Sequence, residues 1–424
     1  MKVFKSVCLS WAICLALFLA CGFSAEELSQ DSAKPVSGAE DDIFYELGLL
    51  ADALTLIDAN YVRKVPAKEL VYGALDGMVS SLDSHSEFLS HEQYMRLQAD
   101  SLGEFGGLGI KVSVRDGMLI VISPLEATPA QKAGVLPRDR IIKIDDKLTK
   151  DYSLDDAVAL LRGKPGTTVR LTVLRGPDQE MKEFVLKRAV IKVQSVRHCF
   201  LNGENTGYIR IADFQKHTAS DLNKAMRHFV KNGIKALIID LRNNPGGLME
   251  AAVMVCEKFI KKPGTIVSTR GRFEGQNALF RSRAAKIYEG FPIAVIINEG
   301  SASASEIVAA ALRDNKKAVI IGNKSFGKGS VQTVIPLKDN SAIRLTTSYY
   351  YTPSGRIIHE KGIMPDIVIP QDMPDSESSH EEEPEETLPP EQALARDKYI
   401  AQAITLLGDK EGYERLLSKD PVEA

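Results

Sequence analysis

Cysteine is nearly missing from the body of this chain: of five in 424 residues, Cys8, Cys14 and Cys21 fall in the leading segment and only Cys199 and Cys256 follow. Two scattered cysteines offer neither a metal-ligand spacing nor a disulfide framework, and no motif around either one suits a nucleophile. A dominant charge is missing too. The formal net charge is −3, which argues against nucleic acid as a partner. Histidines with a partnering pattern are also lacking, since His198, His217, His228 and His359 stand singly. The chain has no apolar run long enough for an ordinary membrane-spanning helix. What remains is a soluble, globular class, and 424 residues are too many for one compact core, so two or three domains are expected.

The leading segment breaks that pattern. Lys2 and Lys5 precede an apolar run from Val7 to Ala20, then a Cys-Gly pair and a polar, acidic stretch, the layout of a secretory signal. Export is expected. Cleavage near Gly22 to Ala25 is one reading; lipidation of Cys21, in LFLACG, is the other. From Pro374 the composition turns to DSESSHEEEPEETLPPE, an acidic linker that cannot bury a core, and a helical pattern resumes from Glu391 to Leu417.

Two short segments carry chemistry: NEGSASASEI from Asn298 and SFGKGSVQ from Ser325. FPIAVII before the first reads as a buried strand and IVAAAL after it as a helix, so Ser301, Ser303 and Ser305 lie at a strand-to-helix turn, beside unpaired helix amides that suit an oxyanion. A serine still needs a base. Lys328 lies between glycines, and Lys328, Ser330 and Gln332 share one face by the period of two. To act near neutral pH the lysine must lose about 4 kcal/mol of proton affinity, and burial beside apolar groups such as Phe326 is expected to supply it. Gln332 can orient the amine without adding a charge. The competing readings are a helix cap, since Ser303 and Glu306 spell SxxE, and a surface lysine. Two other motifs overlap Lys328 and fail. GNKSFGK matches a phosphate-binding loop, but Gly329 stands where a magnesium-binding hydroxyl is needed and a strand follows. SFGK spells SxxK, but flanking glycines oppose the helical turn that motif requires.

GSASASE, then FGKGSVQ, with DLRNNPGG upstream at Asp240 to Gly247, resembles the carboxyl-terminal processing proteases, also called tail-specific proteases. The resemblance places the nucleophile on Ser303, the general base on Lys328 and the lysine-orienting glutamine on Gln332. It places the oxyanion hole on the amide of Ala304 and on that of Gly246 or Gly247, a choice the sequence leaves open. It implies a serine endopeptidase without metal or cofactor. Protein or peptide substrates with free C-termini are the implied partners, with a homodimer through N-terminal helices and an adaptor protein as further ones. A periplasmic location, or the outer face of the cytoplasmic membrane, follows from the leader.

The rest of the chain divides accordingly. Apolar residues recur at helical spacing from Ile43 to Leu97, with Pro66 between two helices, and His85 in this stretch is read as structural. From Gly103 to Arg188, short strands, one helix (LDDAVALLRG) and the run AGVLPRDRIIKIDD resemble a PDZ domain. Its carboxylate loop falls on Gly107, Leu108, Gly109 and Ile110, with Val158 and Leu161 facing the pocket. Arg162 matches a family position that couples module to core; a surface charge is the plainer reading. Beyond Ile191, strands and helices alternate. The expected class is α/β: a crotonase-like layered protease core with an inserted PDZ domain and an N-terminal helical domain. The boundaries are a signal peptide at 1–21, the helical domain at 40–98, the PDZ domain at 99–190, the protease core at 191–370, and the linker with its C-terminal helix at 371–424.

Overall fold

The computed structural model describes residues 39–370 except 116, 126, 151, 177 and 202–204, then 394 and 396–419. The leader with Cys21 and the acidic linker lie outside the described residues. The chain divides into two compact units, Met1–Ala74 and Leu75–Ala424. The first carries α1 (Ala39–Asn60) and the start of α2 (Ala67–Ser80). Pro66 precedes α2, and Glu69 in its first turn complements the helix dipole. On α1, Ile43, Phe44, Tyr45 and Leu47 are each more than half exposed.

The second unit opens with β1 (Glu87–Leu89) and α3 (His91–Leu102). Ser90 and Gln93 form a reciprocal capping box at the start of α3. The stretch to Leu97 was expected to be helical throughout. Instead Glu87–Leu89 pairs antiparallel with Arg344–Ala342. Three residues are too few to show a period, and what makes them a strand is an open sheet edge far away in sequence.

β2 (Glu104–Gly107) leads into the small module: β3 (Ile110–Arg115), β4 (Met118–Pro124), α4 (Pro129–Lys132), β5 (Arg140–Ile144), β6 (Lys147–Leu148), α5 (Leu154–Leu161), β7 (Thr168–Arg175) and β8 (Glu180–Lys187). Its antiparallel sheet runs β3-β4-β5-β7-β8 and closes over Leu119, Val121, Ile141, Leu171 and Val173. β9 (Ala189–Lys192) returns to pair with β2. The chain thus enters and leaves side by side, as an inserted domain must.

The core follows as β10 (Val196–Leu201), β11 (Thr206–Ile211), α6 (Thr218–Lys231), β12 (Ala236–Asp240), α7 (Met249–Cys256), β13 (Thr265–Gly271), β14 (Ala278–Arg281), β15 (Ile293–Ile297), α8 (Ala304–Asp314), β16 (Val319–Gly322), β17 (Ser330–Pro336), β18 (Ala342–Tyr351), β19 (Ile367–Val368), α9 (Lys398–Gly408) and α10 (Lys410–Ser418). One sheet runs β10-β11-β12-β15-β16-β19, parallel from β11 onward. Every residue of β12, β15 and β16 is buried, because helices cover both faces. Leu237, Ile239, Val295 and Ile297 face α6, α7 and α8, while Ile238, Ala294 and Ile296 meet Ile400, Ala403 and Leu406 of α9. A second sheet is centred on β18, with β17 along one edge and β1 and β13 along the other. It carries the loop of Lys328.

Candidate active site

The turn from β15 into α8 separates three serines that sequence left equivalent. Ser301 is fully buried: its hydroxyl donates to Leu241 O at 2.8 Å and accepts from Asn298 N at 3.0 Å. Ser305, also fully buried, donates to Asn244 O at 2.9 Å. Both are committed to joining this turn to the loop after β12. Ser303 differs. It is half-exposed at the head of α8, and its hydroxyl makes no cap hydrogen bond. Its φ of 52° is left-handed, a strained conformation for a residue with a side chain. Facing it is Tyr350, whose phenol is pushed up to about 12 by burial and by the charge of Glu250, with Ser303 pulling the other way.

The SxxE box is only half a cap, and Glu306 does something larger. Its carboxylate, fully buried, accepts from Ser303 N at 2.7 Å, Lys328 N at 2.9 Å, Gly327 N at 2.7 Å and the Ser325 hydroxyl at 2.5 Å. Ser303 N–H and Lys328 N–H converge on one oxygen. Burial raises the Glu306 pKa, and the four donors oppose that rise. Sequence reasoning saw this residue only as a capping partner; its second set of donors comes from a loop that begins nearly twenty positions later.

Lys328 precedes β17 and is half-buried, and no hydrogen bond or ion pair holds its amine among the described residues. Burial lowers its pKa, the charge of Arg344 lowers it further, and Glu87 opposes both. Phe326, expected to supply the apolar surroundings, is 62% exposed. Lys328 is depressed first by its own partial burial, as expected, and then by the charge of Arg344. His85 feels the same lysine: burial and the charge of Lys328 lower its pKa. His359 is stacked on Tyr349 at 4.7 Å, and its backbone lies so close to Gly329 that a Cβ there would sit 2.1 Å from His359 N. Neither histidine pairs with Ser303 among the described hydrogen bonds. Gln332 shares a face with Ser330, as the period of two implies: its Nε2 donates to Ser330 Oγ at 3.3 Å and Thr346 Oγ1 at 2.8 Å. Its Oε1 is buried with no hydrogen-bond partner among the described residues.

The Asn-Asn-Pro-Gly-Gly turn lies against the serine. Gly246, at φ 111°, approaches so closely that a Cβ would fall 2.9 Å from Ser303 Cβ. Its N–H donates to Asn244 Oδ1 at 2.9 Å and its carbonyl accepts from Phe214 N at 2.7 Å. Among the described residues, the N–H groups of Gly247 and Ala304 donate to nothing.

In the inserted module, Gly107 ends β2, Leu108 and Gly109 form the loop and Ile110 begins β3. All four line a cavity of about 320 Å³ with Val158, Leu161 and Arg162. The carbonyls of Leu108 and Gly109 are tied down by Ala130 N and Leu125 N, while their own N–H groups donate to nothing among the described residues. Gly109 needs its φ of 74° and has no room for a Cβ, which would meet Thr128 at 2.3 Å. Arg162 is no free surface charge: it stacks on Phe105 at 4.4 Å and bonds Asp100 of α3 at 3.1 Å.

A carboxy-terminal-processing protease of Bartonella bacilliformis is 42% identical over 340 residues, 79% of this chain and 78% of that protein. The chain belongs to the carboxyl-terminal processing proteases. A probable CtpA-like serine protease of Staphylococcus haemolyticus is 38% identical over 335 residues, covering 79% of this chain and 67% of the other. The profile of peptidase family S41 matches residues 205–369, a PDZ domain matches 120–175, and the activating protease CtpB N-terminal domain matches 18–93. Among solved structures, the photosystem II D1 C-terminal processing protease shares 28% identity with a TM-score of 0.46, over 76% of this chain and 92% of that one. This processing protease is a serine endopeptidase with an α/β core and an inserted PDZ domain that recognises C-termini.

Proposed function

We propose that the protease cuts near the free C-terminus of its substrates with Ser303 as nucleophile, Lys328 as general base, Gln332 as the group orienting the lysine, and the amides of Ala304 and Gly247 as oxyanion hole. One observation carries this reading: Glu306 holds the Ser303 turn and the Lys328 loop on a single carboxylate through their backbone N–H groups, which leaves the Lys328 amine uncommitted and the Ser303 hydroxyl bonded to the Tyr350 phenol rather than spent on a helix cap. Of the two candidate glycines, Gly246 has already given its N–H to Asn244, which favours Gly247.

In this mechanism the neutral Lys328 amine takes the Ser303 proton as Oγ attacks the substrate carbonyl carbon. The oxygen of the tetrahedral intermediate becomes negative between the two free amides. Collapse breaks the C–N bond, and Lys328 returns the proton to the leaving nitrogen. Water, deprotonated by Lys328, then attacks the acyl ester, which releases the carboxylic acid and regenerates Ser303. Every proton passes through one amine, so the cycle requires no cofactor.

The loop of Gly107, Leu108, Gly109 and Ile110 is proposed to hold the substrate's terminal carboxylate on its free N–H groups, with Val158 and Leu161 meeting the last side chain. The module is also proposed to gate the site. Arg162 reaches Asp100 on α3, Ser101 O of α3 accepts from Lys216 N, and Phe214 N donates to Gly246 O. That path ends at the oxyanion turn. A parallel sheet with helices on both faces, beside a second sheet, supports a crotonase-like layering of the core. The exposed apolar residues of α1 favour a homodimer, an adaptor is a further proposed partner, and the leader favours work in the periplasm or at the outer face of the cytoplasmic membrane, with Cys21 as the proposed lipid anchor.

The test offers a protein with a free apolar tail, or the same protein with a charged tail, to the parent and to Ser303→Ala and Lys328→Ala. Both variants should lose cleavage, and the charged tail should be cut poorly by the parent. Undiminished cleavage by Ser303→Ala would overturn the assignment, and indifference to the tail would overturn capture by the PDZ loop.

A further inference from the structure

The two ends of the Gln332 amide differ only in what they bond, so a neighbour must decide which end faces which way. That neighbour is Thr346, directly opposite Gln332 in the β17–β18 register. Its Oγ1 takes the Gln332 Nε2 bond at 2.8 Å. The other side of the same hydroxyl faces Asp83. Burial acts to raise the Asp83 pKa, but the His85 N–H, the Ser86 hydroxyl and N–H and the Thr346 hydroxyl outweigh it and hold it below the usual carboxylate range. An ionised carboxylate only accepts hydrogen bonds, so the single Thr346 proton points to Asp83 and leaves only lone pairs for Gln332. Nε2 must therefore face Thr346.

Asp83 is itself fixed. It accepts from His85 N at 2.7 Å, Ser86 N at 2.8 Å and Ser86 Oγ at 2.9 Å, and the buried Ser86 hydroxyl accepts from Thr346 N at 3.1 Å. The Asp83–Ser86 turn thus grips β18 from the edge opposite β17. Among the described residues Gln332 Oε1 is left buried with no hydrogen-bond partner, an acceptor waiting for a donor.

We propose that Thr346, held by Asp83 and Ser86, is a positioning residue that orients Gln332 so that Oε1, not Nε2, meets the Lys328 amine. The inference rests on the reading of Lys328 as base. With Oε1 presented, the amine donates one N–H to it and keeps its lone pair for the Ser303 proton. A flipped amide would aim an N–H at that lone pair and block it.

The test uses the full mature chain, with Thr346→Val, Thr346→Ser, Asp83→Asn, Gln332→Ala and the Thr346→Val/Gln332→Ala pair. Thr346→Val should lower kcat about ten-fold at unchanged KM. Thr346→Ser should restore most of the activity, and the pair should be no worse than Gln332→Ala alone. Asp83→Asn supplies a donor in place of an acceptor, frees the Thr346 proton to turn toward Gln332, and should mimic Thr346→Val even if the latter folds poorly. An acceptor on the ammonium raises the Lys328 pKa, so its loss should move the acidic limb of the pH–rate profile to lower pH. Arg344, Glu87, His85 and His359, which also face Lys328, are unchanged in all variants, and a purely structural defect would not move the limb. Full activity of both Thr346→Val and Asp83→Asn beside an impaired Gln332→Ala would overturn the role of Thr346. Full activity of Gln332→Ala would overturn the orienting role of Gln332 and this inference with it, while loss in Ser303→Ala and Lys328→Ala would leave the nucleophile and base standing.

Discussion

Glu306 ties four donors from two segments to one buried carboxylate, and the amide analogue cannot repeat this. Glu306→Gln keeps one accepting oxygen and turns an NH₂ against two backbone or hydroxyl donors. It should cost about 2–4 kcal/mol in urea unfolding, and cleavage should fall with it. Arg344 acts on the same site by charge alone. It lowers the Lys328 pKa, so Arg344→Met should raise it, and freeing Glu87 from its 2.9 Å pair adds in the same direction. Because the base works only when neutral, the acidic limb of kcat/KM should shift to higher pH with little change in the plateau. At this scale the sequence was legible where a motif is continuous. GSASASE and FGKGSVQ mark the two segments, but which serine hydroxyl is committed, and which glycine N–H is taken by Asn244, depend on turn geometry that no spacing encodes. The Phe326 expectation failed for a related reason: an aromatic next to a lysine in sequence need not cover it in space.

At the scale of elements, alternation of buried strands and helices was readable because β12, β15 and β16 are covered on both faces and consist of unbroken apolar runs. β1 was not, since its three residues become a strand only by pairing with β18. The link between α3 and the PDZ cleft was equally hidden, because Asp100 and Arg162 meet across 62 positions. That ion pair is partly exposed and worth little stability, so Asp100→Ala should change unfolding by under about 1 kcal/mol. Its proposed role predicts a larger effect elsewhere. The preference for an apolar tail over a charged one should shrink in Asp100→Ala, measured as the ratio of kcat/KM for the two substrates; an unchanged ratio would remove α3 from the gate.

For the whole molecule, two features lie outside a single chain's own packing. The apolar residues of α1 are exposed, and replacing Phe44 and Tyr45 with serine should lower the assembly state measured by light scattering if they form the proposed homodimer. The second is the division of labour, in which one module binds a tail and another cuts the chain. Its central claim is that Ser303, and no neighbouring hydroxyl, is activated by Lys328. The most direct test treats the mature protein with a serine-reactive fluorophosphonate and locates the adduct by peptide mass spectrometry. The prediction is a single adduct on Ser303, abolished in Lys328→Ala. An adduct on Ser301, Ser305 or Ser325, or labelling of Ser303 undiminished without Lys328, would contradict it.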